Sequence, residues 1–142
     1  MIFVDTAAFI AWFCPNDQNH EAAVRTWAAL IDESAKLVTS NFIMDETITL
    51  LGRRTSNLYA ADRAEHLYSS SILHINRVDE SHENSGLIYF RKFADQNISF
   101  TDCISFVMME QLSITQAFTF DNHLRRWRSP CSPDIFESNR WV

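Results

Sequence analysis

The sequence predicts an α/β protein whose mostly parallel sheet is covered by helices on both faces. Three observations predict it. The chain has 142 residues, of which 46% are hydrophobic and 11 are Phe, enough to bury one sizeable core. Only two Gly and three Pro punctuate it, which argues for helices joined by short polar turns rather than for a hairpin-rich β protein. Short β-rich runs stand apart between longer segments of helical period, and that alternation implies crossover units in a parallel sheet.

The first run is residues 2–4, Ile2-Phe3-Val4, closed by Asp5. A helix over 6–13 follows, and its unbroken apolar stretch from Ala7 to Cys14 is far shorter than the ~18 residues that span a bilayer. The N-terminus carries Asp5 among its apolar residues and has no positive charge ahead of them, so it does not read as a secretory signal, and a cytoplasmic protein is expected. Next come a helix over 20–34, a strand over 36–39 and a helix over 42–54. In that last helix, at about 100° per residue, Glu46 falls at the margin of the apolar face and Asp45 points to the solvated side. A helix over 60–70, a strand over 72–78 and a helix over 80–94 complete the middle of the chain.

The helix over 101–112 is apolar nearly all round, through Cys103, Ile104, Phe106, Val107, Met108, Met109 and Leu112, so it reads as buried. Asp102 shares a face with Phe106 and Met109 in its first turn. The helix dipole eases that placement, but an unpaired buried carboxylate costs several kcal/mol, so a counter-charge is expected unless Asp102 or Thr101 merely caps the helix. A strand over 114–120 ends directly on Asp121, before a helix over 122–128. Ligands of parallel sheets collect at the carboxyl ends of the strands, and Asp5 and Asp121 both project there. Either acid taken alone reads more readily as a helix cap than as a functional group.

The chain carries 18 acidic and 12 basic residues, a net charge of −6. That is the wrong sign for binding nucleic acid by overall attraction, so phosphate contacts must be local or metal-mediated. Ten of the twelve bases are Arg, bunched as Arg53-Arg54 and Arg125-Arg126-Arg128, where bidentate phosphate contacts are feasible. Cys14, Cys103 and Cys131 are odd in number with no CxxC spacing, so neither a disulfide framework nor a cysteine zinc site is indicated, and the five histidines form no HxH or HxxxH pair. If Asp5, Glu46, Asp102 and Asp121 converge, they raise one another's pKa and oppose folding. A divalent cation that favours oxygen ligands, Mg²⁺ or Mn²⁺, resolves the repulsion.

Five stretches carry a resemblance to a known family. They are Ile2-Phe3-Val4-Asp5-Thr6, residues 17–23 from Asp17 to Ala23, Thr39-Ser40-Asn41-Phe42 with Asp45-Glu46-Thr47, residues 99–106 from Ser99 to Phe106, and residues 117–123 from Ala117 to His123. In their order and spacing the chain resembles the PIN-domain family, and within it the VapC-type toxins of bacterial toxin–antitoxin pairs. The resemblance covers residues 1–125. It implies a single three-layer α/β/α domain over 1–142, and a metal-dependent endoribonuclease that cuts RNA by a metal-activated water.

It places the catalytic and metal-binding quartet on Asp5, Glu46, Asp102 and Asp121, with Thr6, Asn41 and Thr119 in support. Glu46 enters either as a ligand or as the group that orients or deprotonates the attacking water. The resemblance further implies an antitoxin partner, a homodimer, and cleavage leaving a 5′-phosphate and a 3′-hydroxyl. Arg53, Arg54, Arg125 and Arg126 are the expected backbone contacts. The family's aromatic after Asn122-His123 is Leu124 here, and the tail from Arg125 onward departs from its closing strand.

Two other functions fit less well. A phosphotransferase working through an aspartyl-phosphate would want a DxD at Asp5, where Ala7 stands instead. A PIN-like module that binds RNA or protein without cutting has no need of all four acids, and all four are present.

Overall fold

The computed structural model describes residues 1–126, the last of them by its backbone alone. The element order is β1 (Ile2–Val4), α1 (Thr6–Phe13), α2 (His20–Asp32), β2 (Leu37–Ser40), α3 (Asn41–Arg54), α4 (Asn57–Tyr68), β3 (Leu73–Asn76), α5 (Glu80–Lys92), α6 (Phe100–Gln111), β4 (Ala117–Phe118) and α7 (Asn122–Arg126). The strands form one sheet in the order β3-β2-β1-β4, and every pairing is parallel. The architecture is the three-layer α/β/α one, and the described sheet is parallel throughout rather than mostly so.

Burial on both faces explains why β2 reads Leu37-Val38-Thr39-Ser40 with no exposed position, as central parallel strands do. Between β1 and β4 the chain order breaks, since β1 leads on to β2 on one side and β4 arrives last on the other. Such a switch point leaves a crevice at the carboxyl ends of the strands. The core beside it is aromatic. The Trp27 ring stacks on Trp12 at a centroid distance of 4.2 Å and meets Phe118 edge-on at 5.5 Å, arrangements worth about 0.5–1.5 kcal/mol beyond the area they bury. The all-apolar reading of α6 holds, because every residue from Cys103 to Met109 is buried. Cys14 and Cys103 are buried free thiols, while Cys131 and Arg128 lie outside the described residues.

Several boundaries move for reasons of capping. The α4 helix begins three residues earlier than its apolar pattern suggests, because the Ser56 hydroxyl accepts from the Tyr59 N–H at 3.2 Å and so starts the helix. β4 is two residues long where seven were expected, pairing Phe3 with Ala117 and Val4 with Phe118. With so few glycines, two helices end on serine. Ser34 and Ser113 adopt φ of 51° and 53°. The bonds Ser34 N–H to Ile31 O and Ala35 N–H to Leu30 O, then Ser113 N–H to Glu110 O and Ile114 N–H to Met109 O, are the paired closing bonds of Schellman motifs.

Candidate active site

The register of the sheet builds the site from its floor upward. Val4 lies opposite Phe118, and the Asp5 N–H bonds to the Phe118 carbonyl at 3.2 Å, so the next residue on each strand, Asp5 and Thr119, meet across the pair. Thr119, 1% exposed, donates its hydroxyl to Asp5 Oδ2 at 2.8 Å. The Thr119 hydroxyl oxygen in turn accepts from the Asp121 N–H at 2.9 Å. One buried threonine thus ties the acid that follows β1 to the acid that follows β4.

Glu46 arrives from α3, half-buried at the margin of that helix as its angular position requires, and Thr6, the first residue of α1, donates its hydroxyl to Glu46 Oε2 at 2.5 Å. Asp102 arrives from α6. The helix cap is Ser99, not Asp102 or Thr101: the Ser99 hydroxyl accepts from the Asp102 N–H at 3.0 Å, and Asp102 Oδ2 accepts from the Ser99 N–H at 2.9 Å. This reciprocal capping box replaces the counter-charge expected for Asp102, which is half-buried and, among the described residues, forms no ion pair.

Asp5, Glu46, Asp102 and Asp121 all line one cleft of about 460 Å³. For the three Asp residues the cap and site readings are compatible, since each has one carboxylate oxygen held by a neighbouring backbone N–H. Asp5 accepts from the Ala7 N–H at 3.4 Å and Asp121 from the His123 N–H at 2.6 Å. Burial drives the Asp5 carboxyl up from an ordinary 3.8 to about 7, the Thr119 hydrogen bond pulls against that rise, and the negative charge of Asp102 adds to it.

As placed, no three Asp, Glu, His or Cys side chains among the described residues stand close enough to hold one ion. The chemistry of the cleft nonetheless fits a hard divalent cation: five carboxylates against one imidazole, His123, and no thiol line it, and a buried carboxyl strained against its own ionisation gains from a cation.

Thr6 and Thr119 support the acids directly. Asn41 is engaged elsewhere: its side-chain oxygen accepts from the Val78 N–H at 2.7 Å, pinning the chain after β3, and it does not line the cleft. Of the arginines, Arg54 lines the cleft and Arg53 does not. Arg125 is exposed on α7, and the Arg126 side chain lies outside the described residues. Sequence reasoning gave no role to the pairing of Asp17 with Arg54 at 3.3 Å, nor to Asn97, Ser99 and His123 in the lining. For Ser99 a signal existed, the Ser-x-x-Asp spacing to Asp102, which is a capping-box pattern. His123 stands two residues after Asp121 and bonds its carboxylate locally; the pairing of Asp17 with Arg54 and the placement of Asn97 depend on residues far apart in the chain.

Residues 2–129 match the PIN domain family model. The 23S rRNA-specific endonuclease VapC20 of Mycobacterium tuberculosis (strain CDC 1551 / Oshkosh) is 32% identical over 121 residues, covering 85% of this chain and 89% of that one. The VapC ribonuclease of Archaeoglobus fulgidus is 29% identical over 113 residues, covering 78% of this chain and 71% of its own. The crystal structure of Mycobacterium tuberculosis VapC20, described as a Sarcin-Ricin loop cleaving toxin, superposes with a TM-score of 0.80 at 28% identity, covering 88% of this chain and 93% of the other.

Proposed function

The chain belongs to the PIN-domain family, in its VapC-type branch, and on that footing we propose that it is a divalent-metal-dependent endoribonuclease and the toxin of a toxin–antitoxin pair. The observation that carries the proposal is the arrival of Asp5, Glu46, Asp102 and Asp121 from four separate elements in one cleft at the switch point of a parallel sheet. Those four side chains would hold the metal. When bound, Mg²⁺ or Mn²⁺ supplies charge neutralisation of the phosphate and a water acidic enough to attack it.

The chain's own residues do the rest. Thr119 fixes Asp5 and, through the Asp121 N–H, the turn that carries Asp121. Thr6 holds Glu46 Oε2, which leaves Oε1 either to join the other acids on the metal or to orient and deprotonate the attacking water. Attack by water rather than by the ribose 2′-hydroxyl, with the 3′-oxygen leaving and taking up a proton, gives a 5′-phosphate and a 3′-hydroxyl. The relatives' names make 23S rRNA, and its sarcin–ricin loop in particular, the first substrate to try.

A cognate antitoxin and a second copy of the chain are the proposed protein partners. For the second copy the support is the run of exposed apolar residues on α5, Leu87, Ile88 and Phe90. No described helix is long and apolar enough to cross a membrane.

The test is to incubate the protein with total bacterial RNA and with isolated 23S rRNA, with Mg²⁺, with Mn²⁺ and with EDTA. Discrete cuts with 5′-phosphate ends are expected with metal and none with EDTA or with Glu46→Gln. Expression in a host lacking the antitoxin is expected to arrest growth, and expression of Asp5→Asn is not. Wild type and variant equally harmless would dispose of the toxin reading.

A further inference from the structure

Beside the acidic cleft lies a second hollow of about 490 Å³, formed by the loop 14–18 and Thr55, and the two share a wall made of Asp17 and Arg54. We propose that this hollow seats the nucleotide next to the scissile phosphate, that Arg54 grips the phosphate joining the two, and that Asp17 is a positioning residue that aims Arg54. The inference rests on the ribonuclease reading and names a subsite of that site.

Charge is the first argument. The cleft lining contains five carboxylates, those of Asp17 and the quartet, and Arg54 is its one Arg or Lys among the described residues. A polyanion entering such a cleft has a single fixed cation to meet there. Arg53, adjacent in sequence, lines neither hollow.

Geometry is the second argument. Asp17 Oδ1 accepts from the Asn19 N–H at 2.9 Å, which locks the carboxylate into the turn ahead of α2. Its Oδ2 meets Arg54 Nη1 at 3.3 Å. The Asp17 side chain is only 17% exposed and that of Arg54 is 51% exposed. The anchor is therefore fixed while about half of the Arg54 side chain faces water. A guanidinium presents five N–H donors in a planar fork matched to phosphate oxygens, and one contact to Asp17 leaves most of them unused. A single 3.3 Å contact whose cationic partner is half in water holds weakly, so a phosphate can share or take over the Arg54 fork at little cost.

The character of the second hollow is the third argument. Apart from the shared pair its lining has no charge, and Asn16, Gln18 and Thr55 bring amide and hydroxyl groups beside Pro15 and Cys14. Unstacked bases of single-stranded RNA present Watson–Crick and Hoogsteen edges that amide and hydroxyl groups of this kind can hydrogen-bond, and the volume is within the range of pockets that take small ligands.

The test uses fluorescein-labelled single-stranded RNA of mixed sequence, about twelve nucleotides long, bound in an Asp121→Asn background so that it is not cut. Arg54→Ala is expected to weaken binding about tenfold at moderate salt and to lower the salt slope by ~0.7, one phosphate contact on a single strand. Arg54→Lys is expected to keep the slope. With Asp121 restored, Arg54→Lys and Asp17→Asn are each expected to reduce kcat on total bacterial RNA at least fivefold. Asp17→Asn retains the acceptor for the Asn19 N–H, so a purely structural Asp17 would leave cleavage unchanged.

Shortening the RNA from each end in turn is expected to produce one sharp loss of wild-type affinity, at one end only, and Arg54→Ala is expected not to show that step. An Arg54→Ala protein that binds, cuts and responds to shortening as wild type does overturns the inference and leaves the ribonuclease reading standing. A wild type that cuts no RNA with metal overturns both.

Discussion

Replacing Asp5 by Asn changes one charge at the floor of the cleft, and the structure sets what that does to stability. Asp5 is 4% exposed, and burial raises its carboxyl from 3.8 to about 7. The folded protein then holds this proton over a pH range where the unfolded chain has released it. For a raised acid the folded state binds more protons, so stability falls as pH rises through that window and is flat above it. The gap between 3.8 and about 7 corresponds to about 4 kcal/mol, at 1.36 kcal/mol per pH unit.

Asn cannot ionise, and its side-chain oxygen can still accept the Thr119 hydroxyl. In EDTA, wild type and Asp5→Asn should therefore match within about 1 kcal/mol at pH 4.5, a margin set by one altered hydrogen bond. By pH 8.5 the variant should be the more stable by about 3–4 kcal/mol, which is roughly 10 °C in melting temperature. Urea titrations of both proteins at four pH values between these limits measure the difference, and titrations common to both cancel. A wild type whose stability relative to Asp5→Asn stays level, or improves, from pH 4.5 to 8.5 would refute the claim that Asp5 is a buried acid without a cation.

Metal should stabilise the wild type by about 2.7 kcal/mol at one hundred times its dissociation constant and should flatten the pH dependence. Asp102→Asn should lose most of that gain while its EDTA stability stays level or rises, because Asn can still complete the capping box with Ser99; differential scanning fluorimetry with EDTA, Mg²⁺ and Mn²⁺ reads both. Thr119→Val removes the hydroxyl shared by Asp5 and Asp121 at nearly constant volume, and should cost about 1.5–3 kcal/mol at pH 8, less at pH 5 where Asp5 is protonated, in chemical denaturation. Ser113→Gly relieves a left-handed residue at the end of α6 and should stabilise the protein by about 0.5–1 kcal/mol, seen as a rise of roughly 1–4 °C in melting temperature with cleavage unchanged.

The order of strands and helices was legible in the sequence because period and punctuation are properties of neighbouring residues. Ile2-Phe3-Val4 ahead of Asp5, and the all-apolar Cys103–Met109 behind Asp102, carry their burial in their own side chains. Three of the four acids were legible for the same reason, since a carboxylate at the end of a strand or the start of a buried helix is conspicuous without any knowledge of the fold. Glu46 was legible through its angular position on α3.

Which partners those side chains meet was decided only by the tertiary structure. Thr119 reaches Asp5 across 114 residues of chain because β4 pairs with β1 in the register Val4 to Phe118. A slip of one residue would turn Thr119 to the other face. Asn41 sits as the local pattern placed it, at the head of α3, yet its carbonyl goes to Val78 because the end of β3 lies beside it. Asp17 and Arg54 lie 37 residues apart, each an ordinary polar residue within its own segment. Their meeting at the wall of the cleft follows from α3 packing against α1, and no pattern within either segment encodes it.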